Sequence, residues 1–247
     1  MDPAGARGRI AGINHMAWLL EVERGGVDLY PEIKKRAAER ATPHNDMVRY
    51  EIMRRFGYYV TESSEHNAEY NPWFIKTRYP ELVGRFNIPL DEYPRRCVKQ
   101  IDDWAAMRET LTRNHDLGHA RTEEYASYII DAMEIDRPFK IAGNVRNAHL
   151  IDNLPDEACV EVPCLVDGAG VTPCRVGALP VQLAALNRTS INVQLLAVEA
   201  AVTRRRDTVY QAAMLDPHTA AELSLDDIVS LCDDLIEAHG SRLPALT

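Results

Sequence analysis

The chain has 247 residues and a formal charge of −9, with 37 acidic side chains against 28 basic ones. It lacks the basic excess that a nucleic-acid or anionic-membrane partner calls for, and this points to a small-molecule substrate. Its length allows one sizeable core, read as one domain over residues 1–247; runs such as Met16 to Leu20 are too short to span a bilayer, no signal peptide is legible, and the expected location is cytoplasmic.

Arg9 to Tyr30 alternates apolar and polar positions around Arg24-Gly25-Gly26, which predicts a strand pair with a glycine turn. Thr42-Pro43 predicts a helix start, with Val48, Ile52 and Phe56 as its apolar stripe and Gly57 as its stop. A longer helix is expected over Tyr93 to Thr112. Lys140 to Val145 and Cys159 to Val166 read as short strands joined by a polar loop, "NVRNAHLIDNLPDE". Beyond Leu179-Pro180, Ile191, Leu195, Val198 and Val202 recur at helical spacing, and Leu186, Val193, Ala197 and Ala200 do so on a neighbouring face. Two apolar faces predict a central helix. The last helix opens at Ser224, with Asp227 three residues on, and closes at His239-Gly240. The fold class is therefore α+β: helix-dominated, with a small, mainly antiparallel sheet.

Three constellations could carry chemistry. Asn14 and His15 sit side by side in the apolar stretch "AGINHMAW". A histidine buried there needs a partner or a metal, since dry, unpaired ring nitrogens cost about 1 to 3 kcal/mol; it is either a satisfied core residue or a ligand. Neighbours on a strand face opposite ways, so both reach one site only if the strand ends or bulges there. In "TESSEHNAEY", Ser63 or Ser64 can cap a turn that sets His66 and Tyr70 on one face, with Glu65 and Glu69 beside them. This is an acid/base group or a solvated helix start. The loop from Gly143 to Pro155 carries Asn144, Arg146, Asn147, His149, Asp152 and Asn153. Amides and a guanidinium suit a hydroxyl-rich ligand, while asparagines in a turn can equally satisfy their own backbone.

Other patterns are set aside. "HDLGH", His115 to His119, has the spacing of a metal pair but no glutamate after the first histidine, and reads as a solvated linker. "DGAG", Asp167 to Gly170, is followed by Val171-Thr172-Pro173 rather than a helix, so it is not a dinucleotide fingerprint. Five scattered cysteines without a CxxC pair are expected to be reduced thiols.

Taken together, "AGINHMAW", "GYYVTESSEHNAEYNPWF", "PLDEYPRRC", "GNVRNAHLIDNLPDEACVEVPCLVD", "INVQLLAVEAA" and "AAMLDPHTAAELSLDDI" resemble the carboxyl-terminal portion of glycoside hydrolase family 4, most of all its melibiase-type α-galactosidases. The resemblance runs from about Asp2 to the last residues. It implies a fold like the C-terminal domain of lactate dehydrogenases and a hydrolysis unlike the usual two-carboxylate mechanism. NAD would oxidise the sugar at C3, a base would remove the acidified C2 proton beside a divalent metal, typically Mn2+, and the aglycone would leave by elimination before water adds back and the stored hydride returns to C3, with no net redox change.

On that resemblance His15 matches the metal-binding histidine, and Asn14 matches the residue beside it, which would contact sugar or metal-bound water. Tyr70 is the first choice for the base, His66 the second, and Glu65 an alternative; Asn144, Arg146 and Asn147 would hold substrate oxygens. Complete members begin with a Rossmann domain and a cysteine-histidine-serine motif whose cysteine is the second metal ligand; this sequence shows neither, and Cys159 and Cys164 do not replace that thiolate. The cofactor-binding residues are therefore unassigned, a separate Rossmann-domain polypeptide becomes a possible partner, and the isolated chain is expected to be inactive. The resemblance also implies a homo-oligomer. The alternatives are an inactive oligomerising fragment and a cofactor-independent sugar-binding module.

Overall fold

The computed structural model describes residues 5–113 and 124–247. In chain order its strands are β1 (Ala6–Ile13), β2 (Met16–Arg24), β3 (Val27–Asp28), β4 (Tyr59–Val60), β5 (Phe139–Arg146), β6 (Cys159–Asp167) and β7 (Gly170–Pro173). The helices are α1 (Tyr30–Glu39), α2 (Met47–Phe56), α3 (Ser64–Tyr70), α4 (Glu81–Arg85), α5 (Glu92–Arg113), α6 (Ala126–Ile135), α7 (Val181–Thr203), α8 (Arg206–Leu215), α9 (Pro217–Glu222) and α10 (Leu225–His239). The strands form one sheet in the order β3-β2-β1-β6-β5, with β4 on β2 and β7 on β6. Every pairing is antiparallel. The α+β, helix-dominated expectation holds.

Period-two alternation fixes which face of the sheet is covered. Along β6, Val160, Val162, Cys164 and Val166 are buried, while Cys159, Glu161, Pro163, Leu165 and Asp167 turn to the other face. Opposite them, Gly143 leaves room for the Cys164 thiol, since a Cβ there would lie 2.7 Å from Sγ. The core joins these residues to Ala11, Ile13 and Trp18 of the first hairpin, Val48 and Ile52 of α2, and Leu183 and Ile191 of α7. Truncating a side chain as buried as Leu183 costs about 2 to 5 kcal/mol.

Three expectations need correction. The expected glycine turn forms at Gly25-Gly26 and pairs β2 with β3, but β3 is only two residues long, and the long hairpin is β1–β2, which turns at Asn14-His15. The helix expected from Pro43 starts at Met47, because the polar residues before it bond locally: His44 Nδ1 accepts the Asp46 N–H at 3.1 Å. Its end is as expected, with Gly57 at φ 89° returning its N–H to Met53 O. The third correction concerns α7. Leu183, Asn187 and Ile191 are buried, but Val198 and Val202 are 62% and 78% exposed, so the helix is covered on one side only.

Helix α5 matches the expected Tyr93 to Thr112 within a residue at each end, yet none of its side chains is buried. Val98, Ile101 and Trp104 on α5, and Ile130 and Ile135 on α6, are all bare. The accessible surface is 16265 Å², against about 11,000 Å² for a compact monomer of this mass. The last helix has the expected capping box between Ser224 and Asp227. The five cysteines are free. Among the described residues no helix is long and apolar enough to cross a membrane.

Candidate active site

The β1–β2 register pairs Ile13 with Met16 and leaves Asn14 and His15 as a two-residue turn. His15 adopts φ 64°, a left-handed conformation that histidine tolerates better than most residues. Ile13 and Met16 point into the core, while Asn14 is exposed and His15 half-buried. The tip is held from below by Asn187 of α7, which is fully buried. Its Nδ2 donates to Met16 O at 2.6 Å, and its Oδ1 accepts from Trp18 Nε1 at 3.1 Å. Gly12 is required by this close approach, since a Cβ there would meet Met16 O at 2.6 Å.

A second segment is carried to the same tip. β4 pairs with β2, and Thr61 continues the contact by donating its N–H to Ala17 O at 2.8 Å and accepting from Ala17 N at 3.1 Å. Glu62 turns the chain at φ 65°, and the Ser63 side chain then caps α3 by accepting from His66 N. Asn67 Nδ2 ties the helix back, donating to Thr61 O and Ser63 O.

This places three rings together. Tyr70 Oη lies 2.8 Å from His15 Nδ1, and the His66 ring stacks on His15 with centroids 5.2 Å apart and planes 15° from parallel. Glu62 Oε2 is 3.6 Å from His15 Nε2, and His66 Nδ1 is 3.0 Å from Glu69 Oε2. Glu65, His66 and Glu69 bring potential ligand atoms within 4.8 Å of one another, although Glu65 already faces Arg96 of α5 at 3.3 Å. A third element completes the site: Glu161 of β6 pairs across the ladder with Asn144 of β5, so both side chains lie on the same, open face.

Against this geometry, residues 10–219 match the C-terminal domain of family 4 glycosyl hydrolases. The chain belongs to that family. It is 63% identical, over 99% of its length, to an α-galactosidase of Bacillus subtilis, of which it covers 57%. The structure of lplD from Bacillus subtilis superimposes with a TM-score of 0.83 at 20% identity, covering 94% of this chain and 55% of that one. A 6-phospho-α-glucosidase from gut microorganisms, solved with NAD and Mn2+, gives 0.73 at 20% identity, covering 98% and 57%. The family 4 chain thus spans somewhat more than half the length of these relatives, and its homologues are glycoside hydrolases.

The electrostatics of the candidate site disfavour negative charge on Tyr70 and Glu161. Burial raises the Tyr70 phenol above its usual range, and the Glu69 and Glu62 carboxylates add to the shift. Burial raises the Glu161 carboxyl in the same direction, again with Glu62 contributing. A divalent cation fits such a place: Tyr70 occupies His15 Nδ1, which orients the ring and leaves Nε2 toward the Glu62 carboxylate. NAD does not find an equivalent fit. Among the described residues no glycine-rich turn leads from a strand into a helix, and Gly168 and Gly170 belong to the β6–β7 hairpin.

The structure divides the candidates named from sequence. His15, His66 and Tyr70 converge, Asn14 stands at the tip, and Asn144 faces outward beside Glu161. Arg146 is exposed on the same strand, its Nε 3.3 Å from Asp156 O. Asn147 must be corrected: it is fully buried and its amide is taken up by the loop, with Nδ2 3.0 Å from Ile151 O and Leu154 O and Oδ1 accepting from Ile151 N at 2.7 Å. Asn153 bonds both polar atoms of Leu179, and Asp152 pairs with Arg175. The loop is self-satisfied, which removes the support for a separate sugar-binding module.

Sequence reasoning missed Glu62, Glu161 and Asn187. A lone glutamate among the valines of "CVEVPCLV", and an asparagine on the buried stripe of α7, were the available signals. The pair His115 and His119 lies outside the described residues.

Proposed function

We propose that this chain is the sugar- and metal-facing part of an NAD- and manganese-dependent glycoside hydrolase acting on α-galactosides. The observation that carries the reading is the 2.8 Å contact between His15 Nδ1 and Tyr70 Oη beneath a stacked His66, together with 63% identity to an α-galactosidase.

In this reading His15 holds the cation through Nε2, and Tyr70 keeps the imidazole in register. Tyr70 is the preferred base for the C2 proton because its hydroxyl stands against the imidazole that would hold the cation, whereas His66 is engaged by Glu69 and Glu65 by Arg96. Burial and the Glu62 and Glu69 charges hold the phenol protonated in the resting chain, so positive charge is needed before it can accept a proton. When bound, the cation would supply that charge and stabilise negative charge developing on the sugar. Asn14, Asn144 and Arg146 hold substrate oxygens. The bare apolar faces of α5, α6 and α7 support burial against a nucleotide-binding domain or a second copy.

The test joins the chain to the nucleotide-binding portion of an α-galactosidase relative and supplies NAD and manganese. Hydrolysis of p-nitrophenyl α-galactoside is expected, and its loss when either cofactor is withheld. Cleavage by the 247-residue chain alone, with neither dinucleotide nor divalent ion, would overturn the reading.

A further inference from the structure

Packing does not account for Glu161. It is half-buried between Val160 and Val162, the two residues that place β6 in the core. Across one edge it faces Asn144; across the other it pairs with Gly12, which offers no side chain. Among the described residues it has no hydrogen-bond donor and no cation, and the charge acting on it is that of another carboxylate, Glu62. A carboxylate that is partly desolvated and has no donor from the protein contributes against folding. Groups that break a local rule in this way concentrate where a ligand completes them.

We propose that Glu161 is a sugar-binding carboxylate of this site, its two oxygens accepting hydrogen bonds from neighbouring hydroxyls of the glycoside while the Asn144 amide holds the same sugar from the adjacent strand. The proposal rests on reading the chain as a glycoside hydrolase. The chemistry matches: vicinal hydroxyls present two O–H donors at the spacing of one carboxylate, and such charge-assisted bonds are short and about twice as strong as neutral ones. The position matches too. Glu161 pairs with Gly12, which lies three residues before His15 at the end of β1, so a sugar over Glu161 lies beside the tip that carries His15 and its Tyr70 partner.

The test is Glu161→Gln, which keeps the shape and removes the charge. Two results are expected. The variant chain, free of cofactors, melts about 2 to 4 °C above wild type, because a partly desolvated charge with no partner among the described residues has gone. In the cofactor-supplied enzyme, KM for p-nitrophenyl α-galactoside rises about tenfold or more, with kcat changed less. A melting temperature at or below that of wild type would show that Glu161 serves the fold, and an unchanged KM would show that it does not hold the sugar; either overturns the proposal. Failure of the parent reading looks different, since wild type itself would then turn over no α-galactoside. The melting comparison reports on Glu161 even in that case.

Discussion

The β1–β2 tip and the connection between β5 and β6 both carry asparagine and histidine, and use them in opposite ways. In the connection, Asn147, Asn153 and Asp152 are bonded to backbone atoms of their own segment and its neighbour, or to Arg175. At the tip, Asn14 stays exposed and His15 meets only side chains brought from elsewhere. The difference lies in how each backbone is satisfied. The two-residue turn is flanked by ladder bonds and held by Asn187 from α7, so its side chains remain available. The longer connection has no ladder, so its asparagines must supply the missing partners.

The largest expected effect falls on the tip. His15→Ala should lower kcat/KM of the cofactor-supplied enzyme by about a thousandfold, equivalent to about 4 kcal/mol, while its stability stays within about 1 kcal/mol of wild type. Steady-state kinetics in the presence of manganese and urea unfolding read the two quantities, and near-normal manganese-dependent turnover would break the comparison at its centre. Next comes the connection: Asn147→Ala should cost about 3 kcal/mol of stability, because several buried backbone groups lose their partner together. A loss below about 1 kcal/mol in urea unfolding would mean that the loop satisfies itself by other means.

Tyr70→Phe sharpens the comparison within the site. About a hundredfold loss of turnover is expected, with the kinetic isotope effect at C2 altered or lost; an unchanged isotope effect moves the base to His66 or Glu65. The smallest effect belongs to Asn153→Ala, at about 1 to 2 kcal/mol for its two bonds to Leu179. Turnover at full occupancy should remain within about twofold of wild type, and a larger drop would place the connection in the site after all.

Local patterns were legible where one segment contains its own answer. The capping box of Ser224 and Asp227, the Gly57 stop and the valine alternation of β6 need no distant partner to be recognised. The pairing of His66 with Tyr70 across one helical turn was legible for the same reason. The turn at Asn14-His15 was not, because Gly25-Gly26 is the stronger local turn signal and only pairing with β2 shows where the first strand reverses.

The amino-acid order by itself determined the family, the α+β class, helix stops such as Gly57 and the residue types able to perform the chemistry, since these follow from short-range spacing and side-chain type. Tertiary structure alone decided which polar groups remain available: Asn147 closed within its loop, Glu161 open beside Asn144, and one face of α7 covered while the other is bare. The physical reason is that burial and hydrogen-bond satisfaction depend on groups far apart in the chain, as when Asn187 anchors Met16, 171 positions away.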